Sequence, residues 1–423
     1  MEKRIENKKL GISYLLKEHK SGLKIYLMKI KGVSSTRAIF GTKYGSIDTC
    51  FSKNDQKTIC VPEGIAHFLE HKLFESEGVD AFELFSKTGA YSNAYTSFDR
   101  TCYLFNCTEN LEENLKILLG FVQSPYFSKE TVEKEQGIIG QEIQMYLDAP
   151  DWRILFNLLS ALYSENPVRI DIAGTRESIS EITAELLYSC YETFYNPSNM
   201  FLVLAGDFDE DKVLEIVESE LKPSEPLEIW RNTPNEQSGV LKDYCEQALA
   251  VAKPMFMLGF KVQSSGYETA KNRIAMELAL EIAFGKSSSL YKSLRDEGLI
   301  TNPLDYEYFC TRDTATSIIG GESYDPKGVK DKILNEIELL ISGGIDKELF
   351  EAAKKTAYGE RLVAFDKVEG AVSQLVESAV TGENAFSELE ALESITEQDI
   401  ENSLKLLKVE NQALSVIVPS KEK

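Results

Sequence analysis

Two histidines, His67 and His71, stand four residues apart in the stretch EGIAHFLEHKLFE (63–75), with Glu70 directly before the second. On an α-helix, positions i, i+3 and i+4 share a face. Helical winding of this stretch therefore projects two imidazoles and one carboxylate from a single stripe. Two neutral nitrogen ligands beside a carboxylate that can take a proton from an activated water form the donor set of a catalytic zinc site. The spacing is HxxEH, the inverse of the commoner HExxH. The competing reading is a solvated helix face held by local side-chain pairs. Against it, the chain has three histidines in all and two of them are here, and Phe68, Leu69, Leu73 and Phe74 surround them with apolar side chains. A catalytic zinc site also needs a third protein ligand and an open position. With His19 the one remaining histidine, that ligand is expected to be Asp or Glu.

The elements that must hold this stripe can be read around it. Pro62 and Gly64 precede the expected helix, as suits a helix start. Residues 23–47 read as two or three strands, 48–61 as a polar loop, 79–88 as an amphipathic helix ended by Gly89, and 91–107 as a hairpin. A helix is expected at 110–123. A longer one should run from the N-cap Ser128 to about Asp148, with Glu135 and Glu142 seven residues apart and so on one face. Gly137 and Gly140 lie between them, each costing roughly 1 kcal/mol relative to Ala, which points to close packing. Residues 150–178 read as connected short helices, 180–195 and 209–221 as helices, and 199–205 as a strand. Residues 222–238 hold three prolines and few core residues, and read as a linker.

After that linker the order of elements repeats. A strand at 255–262, a helix at 273–284, strands around 305–323, a helix at 329–341 and a long helix from about 346 are expected. KETVEKEQGIIGQE (129–142) lines up with KELFEAAKKTAYGE (347–360), sharing Lys129/Lys347, Glu130/Glu348, Glu133/Glu351 and Glu142/Glu360. A duplication follows from this order. No histidine occurs after His71, so a second copy cannot hold the same metal.

Composition limits the partners. At 423 residues the chain should form two or more domains, and a net charge of −22 makes nucleic acid and an anionic membrane surface poor partners. No apolar run long enough for a membrane span is present. The N-terminal stretch lacks the apolar segment and cleavage site of a signal peptide. Seven scattered cysteines with no CxxC pair suit reduced thiols. Together these features make a cytoplasmic location the expectation.

The sequence resembles the inverted-zincin peptidases of the pitrilysin–insulinase family over nearly its whole length, most closely the short two-domain bacterial branch. The resemblance rests on GIAHFLEH (64–71), SNAYTSFDRTCYLF (92–105), SPYFSKETVEKEQGIIGQEI (124–143) and NPSNMFLVLAGDFD (196–209). It implies an α+β fold of two homologous domains, each a mostly antiparallel β-sheet packed against α-helices (LuxS/MPP-like). On this reading 1–221 is the zinc-binding catalytic domain, 222–238 the linker and 239–423 a homologous domain without metal. The resemblance implies Zn2+ held by His67, His71 and Glu142, Glu70 as general base, and Glu135 supporting the site by orienting a ligand histidine. Asn93 and Ala94 fall on the family's substrate-binding edge strand, where a peptide substrate adds as a further strand.

The family's second domain usually supplies an Arg and a Tyr that grip the substrate. Here SSLYKSLRDEGLIT (288–301) offers Arg295, with Thr301 near where the Tyr is expected. That departure, and the habit of short-chain members, imply a partner: a paralogous subunit lacking HxxEH, in a heterodimer, or a second copy, in a homodimer. The implied activity is zinc-dependent endopeptidase. Two other readings are a non-catalytic scaffold or processing-complex subunit of the same fold, and a zinc-binding regulatory module in which Glu70 has no catalytic duty.

Overall fold

The structure is a computed structural model that describes residues 2–54, 56–76, 79–262, 264 and 266–420. Its chain forms an α+β fold divided into two compact units. The first unit comprises Met1–Ile143, Asp171–Asn232 and Leu362–Phe386; the second comprises Gln144–Ile170, Thr233–Arg361 and Ser387–Lys423.

Strands of the first unit are β1 (Glu2–Asn7), β2 (Ile12–Glu18), β3 (Lys24–Lys29), β4 (Thr36–Thr42), β5 (Cys50–Lys53), β6 (Ile59–Cys60), β7 (Glu75–Ser76), β8 (Val79–Asp80), β9 (Tyr91–Thr96), β10 (Thr101–Cys107), β11 (Met200–Gly206) and β12 (Ile229–Arg231). Seven of them form a sheet in the order β1-β2-β3-β11-β4-β10-β9, antiparallel except where β11 runs parallel to β3. Every residue of β11 is buried, which explains its unbroken apolar run: a strand covered on both faces needs no alternation. β9 lies at the sheet edge and alternates exposed with half-buried residues, the pattern of a strand with one sheltered face. Helices α1 (Ile65–Leu73), α2 (Ala81–Thr88), α3 (Leu111–Val122) and α4 (Lys129–Leu147) follow the expected spans. Gly89 ends α2 at φ 76°, with its N–H bonded to carbonyls of the last turn.

The second unit repeats the plan. β13 (Tyr244–Leu249), β14 (Met255–Val262), β15 (Asp305–Cys310), β16 (Ala315–Glu322) and β17 (Gln412–Pro419) form a sheet ordered β13-β17-β14-β16-β15. Again one pair is parallel, here β13 with β17 at the sheet edge, and the rest are antiparallel. The helix Ala270–Phe284 is buried over most of its length, in the same core cluster as side chains of β14 and β16. The helix Lys347–Phe365 has the same length as α4, 19 residues, at the offset that aligns KELFEAAKKTAYGE with KETVEKEQGIIGQE.

The contiguous division at 222–238 is corrected in two ways. α5 (Pro150–Leu162) belongs to the second unit, packing on β14 and β17, while the helix Val368–Thr381 belongs to the first, packing on β11 and β4. Each sheet therefore has one face covered by a helix from the other half of the sequence. Gly259 in β14 admits α5, since a Cβ there would stand 2.9 Å from Leu158 and from Leu162. The expected linker is also partly built into the units. β12 pairs with β5 in the first, and Glu236 is anchored in the second. Its carboxylate accepts from the backbone N–H of Ser164, Glu165 and Asn166 at 3.0, 2.8 and 2.7 Å and from Lys261 Nζ at 2.7 Å. Prolines and polar residues marked this span as irregular, which it is. Its tertiary hydrogen bonds left no trace in composition.

Lys261 is 6% exposed, so Lys261→Met leaves the Glu236 carboxylate in place without its cation. The expected cost is about 3–5 kcal/mol, read as a lower-melting transition in calorimetry. An unchanged profile would show the pair to be idle. Burial raises the Glu236 carboxyl pKa, but Lys261 and the three amides outweigh it and hold the group down to about 2, from an ordinary value of 4.5. The pair's contribution is thus complete above pH 4.5 and is lost as pH falls toward about 2.

Two further expectations are settled. Residues 48–61 are not a plain loop but include the β5–β6 hairpin, whose register sets Cys50 opposite Cys60. These two form a disulfide, correcting the reading of all seven cysteines as thiols, while Cys102, Cys107, Cys190, Cys245 and Cys310 are free. Among the described residues no helix is long and apolar enough to cross a membrane.

Candidate active site

The site lies in the first unit and starts with how α1 begins. Gly64 precedes the helix at φ 86°, a left-handed conformation that costs other residues a steric penalty. A Cβ there would also stand 2.4 Å from the Ala173 carbonyl oxygen. Ser178 Oγ, on the short helix Arg176–Ser180 that follows, donates to the Glu63 carbonyl at 2.9 Å. Together these contacts fix where the helix enters and hence which stripe faces inward. Phe68 and Leu69 are fully buried and Phe98 is buried as well, so all three are core residues.

His67, Glu70 and His71 project together, as the spacing predicts. The histidine rings sit edge-to-face with centroids 4.5 Å apart. α4 brings Glu142 to them: its carboxylate oxygens lie 3.8 Å from His67 Nε2 and 3.5 Å from His71 Nε2. One potential ligand atom from each of His67, His71 and Glu142 lies within 4.8 Å of the others, the one such cluster found among the described residues. Two turns earlier on α4, Glu135 Oε1 is 3.0 Å from His71 Nδ1. A proton held at Nδ1 by that carboxylate leaves the Nε2 lone pair facing Glu142. His67 has no such support: its Nδ1 has no hydrogen-bond partner among the described residues, and packing alone orients the ring.

The titration directions follow from this crowding. Burial first, then the charge of His71, lowers His67 to about 4, so it is neutral and able to donate a lone pair at neutral pH. Burial would also lower His71, but the bond to Glu135 and the charges of Glu70, Glu142 and Glu135 raise it. Glu135 is itself lowered, because the His71 hydrogen bond and charge, with Lys72 and Lys134, outweigh burial. Glu70, 9% exposed, is raised by burial against the pull of His71 and of a hydrogen bond from Thr96 Oγ1 at 2.9 Å.

A divalent cation fits this donor set. Three carboxylates surround two imidazoles, and both Nε2 atoms face one of the carboxylates. The chemistry available to such a site is Lewis-acid activation by a metal on His67, His71 and Glu142, with Glu70 as an adjacent proton acceptor.

The remaining predicted residues are placed as follows. Asn93 is exposed on edge strand β9, and its Oδ1 accepts from the Ala94 N–H at 2.9 Å. That N–H therefore points off the sheet edge, not toward β10. Arg295 lies in the second unit, on the helix Ser289–Asp296, where its guanidinium is 3.4 Å from Asp296. Thr301, in the same unit, accepts from Lys253 at 3.3 Å. His19 pairs with Glu218 at 2.9 Å and takes no part in the cluster. Sequence reasoning missed two residues at the site. Thr96 was signalled by the period-two pattern of β9, which sets Ser92, Ala94 and Thr96 on the sheltered face. Lys72, fully buried beside His71 and bonded to Glu75, carried no signal, since charge alone argues for exposure.

Comparison with known proteins finds relatives along nearly the whole chain. Residues 54–176 match the family model described as insulinase (peptidase family M16), and residues 181–357 match the peptidase M16 inactive domain. A Bacillus subtilis protein named uncharacterized zinc protease YmfH is 42% identical over 416 residues, covering 96% of each chain. A second B. subtilis protein, named uncharacterized zinc protease YmxG, is 25% identical over 84% of this chain and 88% of its own. Among solved structures, a protein described as an M16-like peptidase from Alicyclobacillus acidocaldarius superimposes with TM-score 0.93 at 36% identity, covering 98% of this chain and all of that one. With helix α1 carrying the HxxEH stripe, α4 carrying E-x6-E, and near-complete coverage by relatives named zinc proteases, the chain belongs to the insulinase family, peptidase family M16.

Proposed function

We propose that this chain is a zinc-dependent endopeptidase that hydrolyses peptides or small unfolded proteins. What supports the reading above all is the convergence of His67 Nε2 and His71 Nε2 on the Glu142 carboxylate, with Glu70 beside them and outside the ligand cluster. His67, His71 and Glu142 would hold the ion. Bound there, zinc supplies Lewis-acid activation of a water molecule and of the scissile carbonyl.

The chain's own residues do the rest. Glu70 accepts the proton as water attacks the peptide carbonyl and returns it to the leaving amine. Burial favours its neutral form, which shortens the gap between its proton affinity and that of the groups it serves. Glu135 holds the His71 ring in one tautomer. The open edge of β9 at Asn93 and Ala94 accepts the substrate as an added strand, with main-chain hydrogen bonds giving sequence-tolerant affinity.

A partner belongs to the same proposal. Thr301 in place of the family's tyrosine leaves the second unit short of one substrate-gripping group, with Arg295 as the other. A paralogous subunit lacking HxxEH, or a second copy of the chain, would supply what is missing. The working location proposed for the assembly is the cytoplasm. The test is a peptide-mixture cleavage assay on purified protein, with metal analysis, with and without a chelator, and with light scattering on the same sample. Chelator-sensitive cleavage that appears or rises with the oligomer is expected. Cleavage indifferent to chelation would sink the metallopeptidase reading, and full-rate cleavage by a proven monomer would remove the partner.

A further inference from the structure

The hydroxyl of Thr96 makes a contact that the metal cluster and the base do not by themselves require. Thr96 is the last residue of edge strand β9 and sits opposite Thr101 of β10 in the sheet register. Its Oγ1 lies 2.9 Å from Glu70 Oε2. Thr101 is fully buried, and its Oγ1 lies 2.9 Å from the Tyr44 carbonyl oxygen but 3.4 Å from Thr96 Oγ1. A hydroxyl has one proton to donate. Thr101 commits its proton to Tyr44, the shorter and better acceptor. Thr96 therefore meets Glu70 as a donor.

We infer that Thr96 is a positioning residue for the proposed general base, dividing the work of the two Glu70 oxygens. This inference rests on the peptidase reading. Oε2 is held as the acceptor of the Thr96 hydroxyl, and the carboxylate plane is fixed by that bond. Proton uptake from the attacking water and return to the leaving amine then fall to Oε1. The bond also ties the base to the strand on which the substrate would add. A shift of β9 on substrate binding is felt at Glu70 through one hydroxyl, without passing through α1. Ser92 and Ala94 share the sheltered face with Thr96 but carry no such bond to Glu70, so the duty is specific to this position.

Two variants separate hydroxyl from shape. Thr96→Val keeps the branched volume and removes the donor; Thr96→Ser keeps the donor and removes the methyl. In Thr96→Val, kcat is expected to fall about 10- to 100-fold, the scale of one hydrogen bond to a charged group. KM should stay within about twofold, and Thr96→Ser should return kcat to within about threefold of the parent. Zinc content should be that of the parent in both. A crystal structure of metal-free Thr96→Val should show the Glu70 carboxylate turned from its parent orientation, a readout independent of turnover.

Parental kcat in Thr96→Val, or equal losses in the Val and Ser variants, would overturn the assignment, as would loss of zinc in step with rate. Glu70→Gln run alongside distinguishes the two levels. If that variant cleaves at the parental rate, the peptidase mechanism with Glu70 as base falls and takes the Thr96 role with it. If it is inactive while Thr96→Val is silent, only the Thr96 role falls.

Discussion

Glu70→Gln is expected to lower peptide hydrolysis by about a hundred- to ten-thousand-fold, the range contributed by a positioned general base, while the metal stays bound. The two side chains have the same shape, and the Gln carbonyl can still accept the Thr96 hydroxyl that now reaches Oε2 at 2.9 Å. What Gln cannot do is take up a proton. Glu70 lies outside the His67, His71 and Glu142 cluster, so its loss should leave zinc stoichiometry unchanged. Replacing a carboxylate that is 9% exposed by a neutral amide also removes a charge that burial disfavours, and thermal stability should hold or rise. Single-turnover cleavage of a quenched fluorescent peptide, with elemental analysis of the same sample, reads all of this. Undiminished hydrolysis would exclude Glu70 as the base.

The second large effect is expected at Glu142. Glu142→Gln should take bound zinc from near one ion per chain to a small fraction and abolish hydrolysis as a consequence. The carboxylate oxygens lie 3.8 and 3.5 Å from the two Nε2 atoms, so this side chain closes the cluster. A neutral amide is a poor ligand for zinc, and two imidazoles alone do not make a catalytic zinc site. Glu135, on the same face of α4, provides the contrast. Glu135→Gln should keep the ion but weaken its affinity by about 10- to 100-fold, because it orients His71 from outside the ligand set. Titration with a chromogenic chelator distinguishes the two. Full zinc occupancy in Glu142→Gln would remove it from the ligand set and leave the third position to be found elsewhere.

Much of the site was legible because its parts are local. His67, Glu70 and His71 fall on one stripe through the helical period alone, and Glu135 and Glu142 share a face for the same reason. The hairpin at 91–107, α2 with its Gly89 stop, and the repeat that aligns 129–142 with 347–360 are likewise written in nearby residues. The similar sheet plan, with one parallel pair in each unit, follows from that repeat.

Other features depend on which elements meet across long separations, and nearest neighbours carry no record of that. α1 and α4 are each predictable, but the 3.5 Å approach of Glu142 to His71 is set by how the two helices pack. Family resemblance, not spacing, pointed to Glu142. The Cys50–Cys60 bridge needed the β5–β6 register, in a stretch too polar to read as strands. The helix exchange, α5 to the second sheet and Val368–Thr381 to the first, was invisible because an amphipathic helix shows that one face is buried but not which sheet buries it. Glu236 looked like linker because its ladder of backbone donors lies about seventy residues away. The sequence by itself determined a single HxxEH stripe and its companion helix, since both are periodic and local. Only the tertiary structure decided that a hydroxyl from edge strand β9 reaches Glu70, because a contact between a helix and a strand depends on the register and packing of the whole sheet.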